Sequence, residues 1–323
     1  MIAKRILAIG ELLWDLLPGG QRLGGAPLNV VAHLRQMGHE VALLSGVGDD
    51  ERGRAALAEA SELGVGTQFM RVVPGVPTGI VRVELDPTGI ARFDIVSPAA
   101  YEHVADDRAS VAAAARYAPD ALVFGTLAQR SRFVRHATTV VIEANPEALR
   151  VYDVNLREGC WHPELVDELL SCATVVKLND DEVRVLGPVL DLPADSDARF
   201  ALSLMERYSL TATCVTRGAN GALLCGPAGL VEADVRPVQV VDTVGAGDAF
   251  TAGLVDGLLA GKPAEEVVAV ANRLGALVAS RPGAIPRWHP GELALPPRED
   301  VSTSQVGDRT GTRRTPPPRE QRP

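Results

Sequence analysis

VDTVGAGDAF, residues Val241–Phe250, is the most informative stretch of the chain. It predicts a strand end, a glycine loop and the first turn of a helix. Gly245, Ala246 and Gly247 have little or no side chain, so an anion can approach the unpaired amides of that helix start. Asp248 would compete with the anion unless it takes a proton from a hydroxyl nucleophile. We interpret the stretch as a general base beside an anion hole, and a plain helix N-cap is the alternative.

Composition limits the class of protein. The 323 residues are 46% hydrophobic and 23% charged, which is typical of one large globular domain. The formal charge is -9, and the tail Pro296–Pro323 holds six Arg against four Asp or Glu, which leaves -11 for the rest. So acidic a body argues against nucleic acid as the main partner.

The sequence also bears on the compartment. No apolar run reaches the roughly 18 residues that a membrane span needs, and the N-terminus does not have the pattern of a signal peptide. We therefore expect no membrane partner and a cytoplasmic location. The four cysteines show no metal-binding spacing and are expected to be reduced thiols.

VDTVGAGDAF resembles the second signature of the PfkB (ribokinase-like) family of carbohydrate kinases at nearly every position, and further matches extend from about residue 6 to residue 287. The resemblance implies an α/β fold, a ribokinase-like three-layer α/β/α sandwich with a mostly parallel central sheet and a small β-sheet lid. It implies ATP-dependent phosphorylation of a monosaccharide hydroxyl. Asp248 would be the catalytic base, and Gly245 to Gly247 would form the anion hole.

The domain organisation follows from the extent of these matches. Residues 1–290 are expected to form the kinase domain, with lid strands at about 11–24 and 69–97. Within the second segment, TGIVRVELDPTGIARFDIV alternates apolar and polar residues around a DPTG turn. A lone hairpin is only marginally stable, so the lid should lean on its N-terminal strands or on a second subunit. Family members commonly pair through their lids, although no feature of this sequence demands a homodimer.

The tail, residues 291–323, is rich in Pro, Arg, Thr and Ser and has almost no apolar residues. Such a segment cannot bury enough surface to offset the entropy lost on ordering. We predict that it is disordered and has no catalytic role.

Most of the residues predicted to bind the sugar lie in the N-terminal third of the chain. Ile6–Ile9 is typical of a buried strand, so Asp15 should lie at the mouth of a sheet. Gly24 and Gly25 precede a helix on which Asn29 offers a donor and acceptors to vicinal hydroxyls. On the residues alone, Asp15 also fits a cap and the paired glycines a turn. The resemblance to the family implies that Asp15 holds sugar hydroxyls, and its first signature implies that Gly24, Gly25 and Asn29 bind the sugar.

Two residues further along the chain are also candidates for the sugar site. Gln129 in TLAQRS resembles a residue that reaches a sugar hydroxyl in fructokinase-like members. Arg157 ends VYDVNLR, at the carboxyl end of a strand, where ligands of open parallel sheets collect. It could bind a phosphate or an acidic sugar, and a structural salt bridge with Asp153 or Glu158 fits equally well.

The resemblance places the nucleotide further along the chain. In NDDE, Asn179 and Glu182 match the NxxE motif, whose glutamate helps to organise hydrated Mg²⁺, although helix capping also fits these residues. RGANG resembles the TxGxxG segment that lines the ATP site. The implied ATP-binding residues are Asn179, Thr216, Gly218, Gly221, Gly247 and Asn272. In potassium-activated members a K⁺ ion is bound near the anion hole, where Asp242 and Gly283 match, but this activation varies within the family.

The predicted sugar is fructose, because GELLWDLLP, LGGAPLN, FGTLAQRS and VYDVNLR resemble fructokinases more than ribokinases or adenosine kinases. A 2-keto-3-deoxygluconate kinase, in which Arg157 serves a carboxylate, and a ribokinase are the alternatives. A dinucleotide-dependent oxidoreductase would need GxGxxG after the first strand, and a Walker-type NTPase would need GxxxxGK[ST]; both patterns are missing. A non-catalytic sugar or nucleotide sensor on the same fold stays open, although Asp248 and the NxxE pair argue against it.

Overall fold

Two β-sheets and the helices around them make up the part of the chain that the structure describes. The structure is a computed structural model, and it describes residues 2–17, 19–85 and 91–294. The DPTG turn at residues 86–89 and the tail from residue 295 onward lie outside the described residues.

The strands are short, with at most nine residues in any of them. In chain order they are β1 (Arg5–Ile9), β2 (Leu13–Leu17), β3 (Gly20–Gly24), β4 (Glu40–Gly48), β5 (Met70–Val73), β6 (Gly79–Leu85), β7 (Ala91–Ile95), β8 (Ala121–Gly125), β9 (Leu149–Asp153), β10 (Val175–Asn179), β11 (Ala212–Thr216), β12 (Ala222–Gly226) and β13 (Gly229–Ala233). Nine of them form a large sheet in the order β13-β12-β11-β10-β9-β8-β1-β4-β5. From β11 to β5 neighbouring strands run parallel, whereas β12 and β13 are antiparallel additions.

The helices lie on both faces of this sheet. They are α1 (Ala26–Gln36), α2 (Glu51–Glu62), α3 (Arg108–Ala115), α4 (Thr126–Gln129), α5 (Arg132–Ala144), α6 (Pro163–Cys172), α7 (Asp180–Val189), α8 (Asp197–Tyr208), α9 (Ala246–Leu259) and α10 (Ala264–Ala279). Alternate residues of β1 enter different cores: Ile6 and Ala8 pack with α1, α9 and α10, whereas Leu7 and Ile9 pack with α3 and α5. A strand buried on both faces needs an unbroken apolar run, which explains why RILAI does not alternate. The predicted three-layer α/β/α sandwich is confirmed.

The second, smaller sheet has the order β3-β2-β6-β7. β2 pairs antiparallel with β3 and parallel with β6, and β6 pairs antiparallel with β7. The prediction that residues 69–97 all belong to this sheet is wrong for Met70–Val73. That strand pairs with β4 at the edge of the large sheet, with Ser45 opposite Met70. Its four residues are too few to show an alternation, so the neighbouring strand alone determines its sheet.

Two predicted boundaries shift by a few residues. The helix predicted to follow the glycine loop begins at Ala246, so Ala246 and Gly247 belong to its first turn. The domain end predicted at residue 290 lies too early, because Pro290–Leu293 forms a 3₁₀ helix with Leu293 buried. The carbonyl of Glu292 accepts a hydrogen bond from Arg273 Nε of α10 at 2.7 Å, so this turn is docked on the domain.

Small residues bring α9 and α10 together. A Cβ added at Gly253 would lie 2.7 Å from Ala271 Cα, and one at Gly257 would lie 2.9 Å from a methyl group of Val267. The two helices therefore pack almost backbone to backbone, which holds the start of α9 in place. None of the helices in the described ranges has both the length and the apolar character of a membrane span.

Candidate active site

Asp248 lies in the first turn of α9 and is half-buried at the base of a cleft. Its Oδ2 accepts a hydrogen bond from Asn29 Nδ2 of α1 at 2.7 Å. The surrounding protein desolvates the carboxyl group and, together with the charge of Asp153, raises its pKa to about 6, while Asn29, Lys177 and Arg157 act in the opposite direction. A carboxylate with a pKa near neutrality suits a general base.

The loop before Asp248 has the backbone shape of an anion site. Gly245 has φ of 77°, and a Cβ there would lie 2.6 Å from Ala284 Cα, so only glycine fits. The amide of Ala246 donates to Thr243 O at 3.3 Å. The amides of Gly247 and Asp248 lie in the first helical turn, where no preceding helical carbonyl can accept from them. These two amides are therefore the donors best placed for an anion.

A buried ion pair lies directly behind this loop. Lys177 Nζ is 3.1 and 3.3 Å from the two carboxylate oxygens of Asp153, and Thr251 Oγ1 donates to Asp153 Oδ2 at 2.7 Å. Lys177 is only 6% exposed. Burial lowers its pKa, but the nearby carboxylates, Asp153 foremost, raise it overall, so the amine carries its charge. Because Lys177 Nζ lies 3.4 Å from where a Cβ of Gly247 would be, this charge faces the predicted anion hole.

The sugar-binding residues predicted in the N-terminal third lie together on the other side of Asp248. Asp15 in β2 is half-buried, and desolvation raises its pKa while the charge of Arg157 opposes this. A Cβ at Gly24 would lie 2.7 Å from Asp15 Oδ2, and one at Gly25 would lie 2.4 Å from Glu11 O. The paired glycines therefore let the start of α1 close onto the β1–β2 connection.

Three buried polar atoms around this cleft have no hydrogen-bond partner in the described part of the chain. They are Glu11 Oε2, Asn29 Oδ1 and the Tyr101 hydroxyl. Burial raises the pKa of Glu11, with Arg157 lowering it and Asp248 raising it. Burial and then the charge of Glu11 raise the pKa of Tyr101, so Glu11 lies close enough to act on the Tyr101 hydroxyl. Buried polar atoms without partners are costly and indicate a place where a polar ligand binds.

Arg157 is exposed, and its Nη1 donates to Asn155 Oδ1 at 2.7 Å and to Leu156 O at 3.1 Å. The alternative in which it pairs with Asp153 is wrong, because Asp153 is bonded to Lys177. Its charge instead lowers the pKa of carboxyl groups in the cleft, including Asp248, so the guanidinium lies near enough to the cleft to act on them.

Gln129 is buried, and its Oε1 has no hydrogen-bond partner among the described residues. Its side chain has no exposed surface, and its Nε2 donates to Thr138 Oγ1 of α5 at 2.8 Å. The sugar contact expected for Gln129 stays a prediction, because Thr138 holds only the Nε2 end of the amide and Oε1 is still unpaired.

A cavity of about 410 Å³ opens beside the start of α9. The residues predicted for ATP that line it are Thr216, Gly218, Gly221, Gly247 and Asn272. A Cβ at Gly218 would have no neighbour within 4 Å, so this backbone is open to a ligand. Asn272 is bonded to Ala233 O at 2.8 Å, which ties α10 to the end of β13. The volume lies in the range of pockets for small ligands, roughly 300 to 1,000 Å³.

Asn179 and Glu182 form a reciprocal helix cap and do not line this cavity. Asn179 Oδ1 accepts from the amide of Glu182, and Glu182 Oε2 accepts from the amide of Asn179, both at 2.8 Å. Glu182 Oε1 also accepts from the amide of Leu156 at 2.7 Å. The capping alternative is thus confirmed, and the bond to Leu156 joins the NxxE segment to the segment after β9 that carries Arg157.

Comparison with known proteins identifies the family to which the chain belongs. The family model described as pfkB family carbohydrate kinase matches residues 19–289. The chain belongs to the pfkB family of carbohydrate kinases. This kinase is 30% identical over 319 residues to a fructokinase of Klebsiella pneumoniae, covering 93% of this chain and 99% of that protein. It is 28% identical over 305 residues to an aminoimidazole riboside kinase of Salmonella typhimurium, covering 87% and 91%.

A solved fructokinase structure is also similar to this chain over most of its length. A double-mutant fructokinase of Vibrio cholerae, in its fructose-, ADP- and potassium-bound form, aligns with a TM-score of 0.74 at 25% identity, covering 87% of this chain and 94% of that one. The enzyme class predicted from the sequence, a phosphotransferase that acts on an alcohol group, is confirmed.

Three residues of this kinase's cleft, Lys177, Glu11 and Tyr101, were not among those predicted from the sequence. Lys177 interrupts the apolar run VVKLN, and a lysine in a buried strand is rarely unpaired, which is a usable signal. Glu11 follows a buried strand, where ligands collect, and this also could have been used. Tyr101 lies in a 3₁₀ segment, Ala100–Asp106, and no local pattern marks it.

Proposed function

We propose that this kinase is a fructokinase, which transfers the γ-phosphate of ATP to a hydroxyl of fructose. The observation that carries the proposal is the position of Asp248. On one side it is bonded to Asn29, among polar atoms that lack partners. On the other side it follows Gly247, which lines the cavity suited to the nucleotide. The fructokinases among the similar proteins support fructose as the acceptor.

In the proposed mechanism Asp248 accepts the proton of the attacking hydroxyl. The new bond forms between the sugar oxygen and the γ-phosphorus, the bond from that phosphorus to the β-phosphate oxygen breaks, and ADP leaves. The amides of Gly247 and Asp248 stabilise the negative charge on the transferred group, and the charge of Lys177 acts from behind the loop. Asn29 holds the carboxylate in position through its 2.7 Å hydrogen bond.

Magnesium belongs to the proposal through its chemistry with ATP, because when bound it neutralises charge on the phosphates. We assign Glu182 an indirect role toward this ion. Both of its oxygens already accept backbone hydrogen bonds, so its remaining lone pairs are better suited to bound water than to direct ligation. An ion held mainly by phosphates and water needs no cage of protein carboxylates.

The proposal extends to the domain organisation. Residues 1–290 together with the docked turn at Pro290–Leu293 would form the kinase domain, and β2, β3, β6 and β7 would form a lid that excludes water from the transferred phosphate. Asp50 at the start of α2 accepts hydrogen bonds from the Thr78 amide and hydroxyl, at 2.8 and 2.7 Å, and so anchors the base of β6. A homodimer through the lid and a cytoplasmic location stay predictions.

An acidic sugar is the second candidate acceptor. The guanidinium of Arg157 lies near the cleft, and among the described residues no carboxylate lies within 4.0 Å of it. A sugar acid such as 2-keto-3-deoxygluconate would supply that carboxylate.

The test is ADP release with MgATP against fructose, ribose, 2-keto-3-deoxygluconate, tagatose, adenosine and aminoimidazole riboside. We expect kcat/KM for fructose to exceed the others by at least about tenfold, the size expected from a few matched polar contacts. Preference for 2-keto-3-deoxygluconate would move the assignment to the acidic sugar. Folded protein that binds ATP but turns over none of the panel would contradict the fructokinase assignment and favour the sensor alternative.

The pH dependence provides a further prediction. Asp248 must be deprotonated to accept a proton, and its pKa is raised to about 6, so kcat/KM should be constant above that pH and fall about tenfold per unit below it. The measurement is kcat/KM between about pH 4.5 and 8.5, with thermal unfolding followed over the same range to separate inactivation from unfolding. A profile that stays flat down to about pH 4.5 in folded protein would contradict the assignment of Asp248.

A further inference from the structure

The carboxylate of Asp242 lies just before the anion loop, where the family resemblance suggests a potassium ion. Asp242 and Gly283 do lie together in the structure, but the groups that contact the Asp242 carboxylate are hydrogen-bond donors. Asp242 Oδ1 accepts from the amide of Val244 at 3.0 Å, and Oδ2 accepts from the amide of Gly283 at 3.1 Å and from Arg22 Nη1 at 3.3 Å. A hard cation needs oxygen ligands, so this surrounding does not fit it while the Arg22 guanidinium is present.

Two backbone carbonyls after Gly283 also have hydrogen-bond partners. Ala284 O is 2.9 Å from His33 Nε2, and Pro286 O accepts from Gln36 Nε2 at 3.3 Å. Trp288 Nε1 donates to His33 Nδ1 at 3.1 Å, so the ring proton of the neutral His33 is on Nε2, which donates to Ala284. Burial lowers the pKa of His33 to about 4, which keeps the ring neutral. These two carbonyls are therefore turned toward α1.

Arg22 supplies positive charge at this place. It lies in β3 of the small sheet, opposite Asp15 in the register. Its Nη1 reaches Asp242 and lies 3.9 Å from where a Cβ of Gly283 would be. The cavity there, of about 380 Å³, is lined by three carboxylate residues, Asp15, Glu59 and Asp242, and by Arg22 as the one basic side chain among the described lining residues.

We propose that the Arg22 guanidinium takes the place of a monovalent cation at Asp242, so that this kinase does not depend on potassium. Arg22 belongs to the small sheet, and Asp242 precedes the anion loop. The contact between them therefore also holds the small sheet against that loop. The inference deepens the proposed kinase function by assigning its cation requirement. It concerns the loop and the nucleotide side, so it does not depend on which sugar is phosphorylated.

The first measurement is ADP binding by calorimetry, with MgCl₂ present, in KCl and in tetramethylammonium chloride at equal ionic strength. We expect the wild-type Kd to agree within about twofold between the salts. Arg22→Gln should weaken binding in tetramethylammonium by roughly two- to fivefold, the range for a partly exposed ion pair, and KCl should restore it because the freed carboxylates then attract the ion. Arg22→Lys should behave as the wild type.

Arg52→Gln is the matched control, because Arg52 Nε reaches the same strand at Gln21 Oε1, 3.2 Å away, without contacting Asp242. Thermal unfolding of each variant shows that it is folded. A wild-type protein whose ADP affinity rises several-fold in KCl would overturn the proposal, and so would an Arg22→Gln defect of equal size in both salts. Absence of fructose turnover would contradict the proposed function only, since the binding measurement uses no sugar.

Discussion

Replacing Asp248 with asparagine is expected to lower kcat by two to four orders of magnitude, the usual size for loss of a general base. The asparagine side chain has the same shape and can still accept the hydrogen bond from Asn29. It cannot take up the proton of the attacking hydroxyl. We therefore expect KM values and ADP affinity to change little, because the variant removes a group that acts in the transition state.

The measurement is kcat at saturating sugar and MgATP, with ADP affinity and the unfolding temperature determined on the same preparation. Glu265→Gln is the control, since Glu265 is an exposed carboxylate in the first turn of the neighbouring helix α10. Near-wild-type turnover by Asp248→Asn would rule out the general-base role.

Replacing Lys177 with methionine is expected to destabilise the protein by about 3 to 5 kcal/mol, the cost of leaving one partner of a buried ion pair alone. Asp153 would keep the hydrogen bond from Thr251 but lose the charge that neutralises it. Because Lys177 lowers the pKa of Asp248, its loss should also move the acidic limb of the kcat/KM profile to higher pH.

Urea unfolding and the pH profile measure these two effects separately. The double variant Lys177→Met/Asp153→Asn removes both charges, so it should recover most of the stability. It should also return the pH midpoint toward that of the wild type, since Asp153 raises the pKa of Asp248 and Lys177 lowers it. A single variant that is destabilised but keeps the wild-type pH midpoint would show that Lys177 supports only the fold.

Much of the nucleotide side can be predicted from the sequence because its signals are local. Gly245 needs φ of 77°, which glycine adopts easily, and the turn it makes is encoded in neighbouring residues. Thr216, Gly218 and Gly221 are likewise close in the chain and line one cavity. Buried parallel strands such as RILAI are recognisable from composition alone.

The error in the small sheet concerns a contact between segments far apart in the chain. The sequence predicts Met70–Val73 in the small sheet, but this strand pairs with β4. A four-residue strand carries too little pattern to choose among partners. Such a choice depends on which edge the finished fold leaves beside the strand.

The α/β class, the glycine loop and the acid that follows it can be deduced from the chain before it is folded, because backbone conformation and strand burial depend on residues that are adjacent in sequence. The folded molecule was needed to show that Lys177 lies behind that loop, that Glu11 and Tyr101 join the cleft, and that Arg22 reaches Asp242 across 220 positions. The strength of an ion pair and the shift of a pKa depend on distance and burial, which are set when the strands take their order in the sheets.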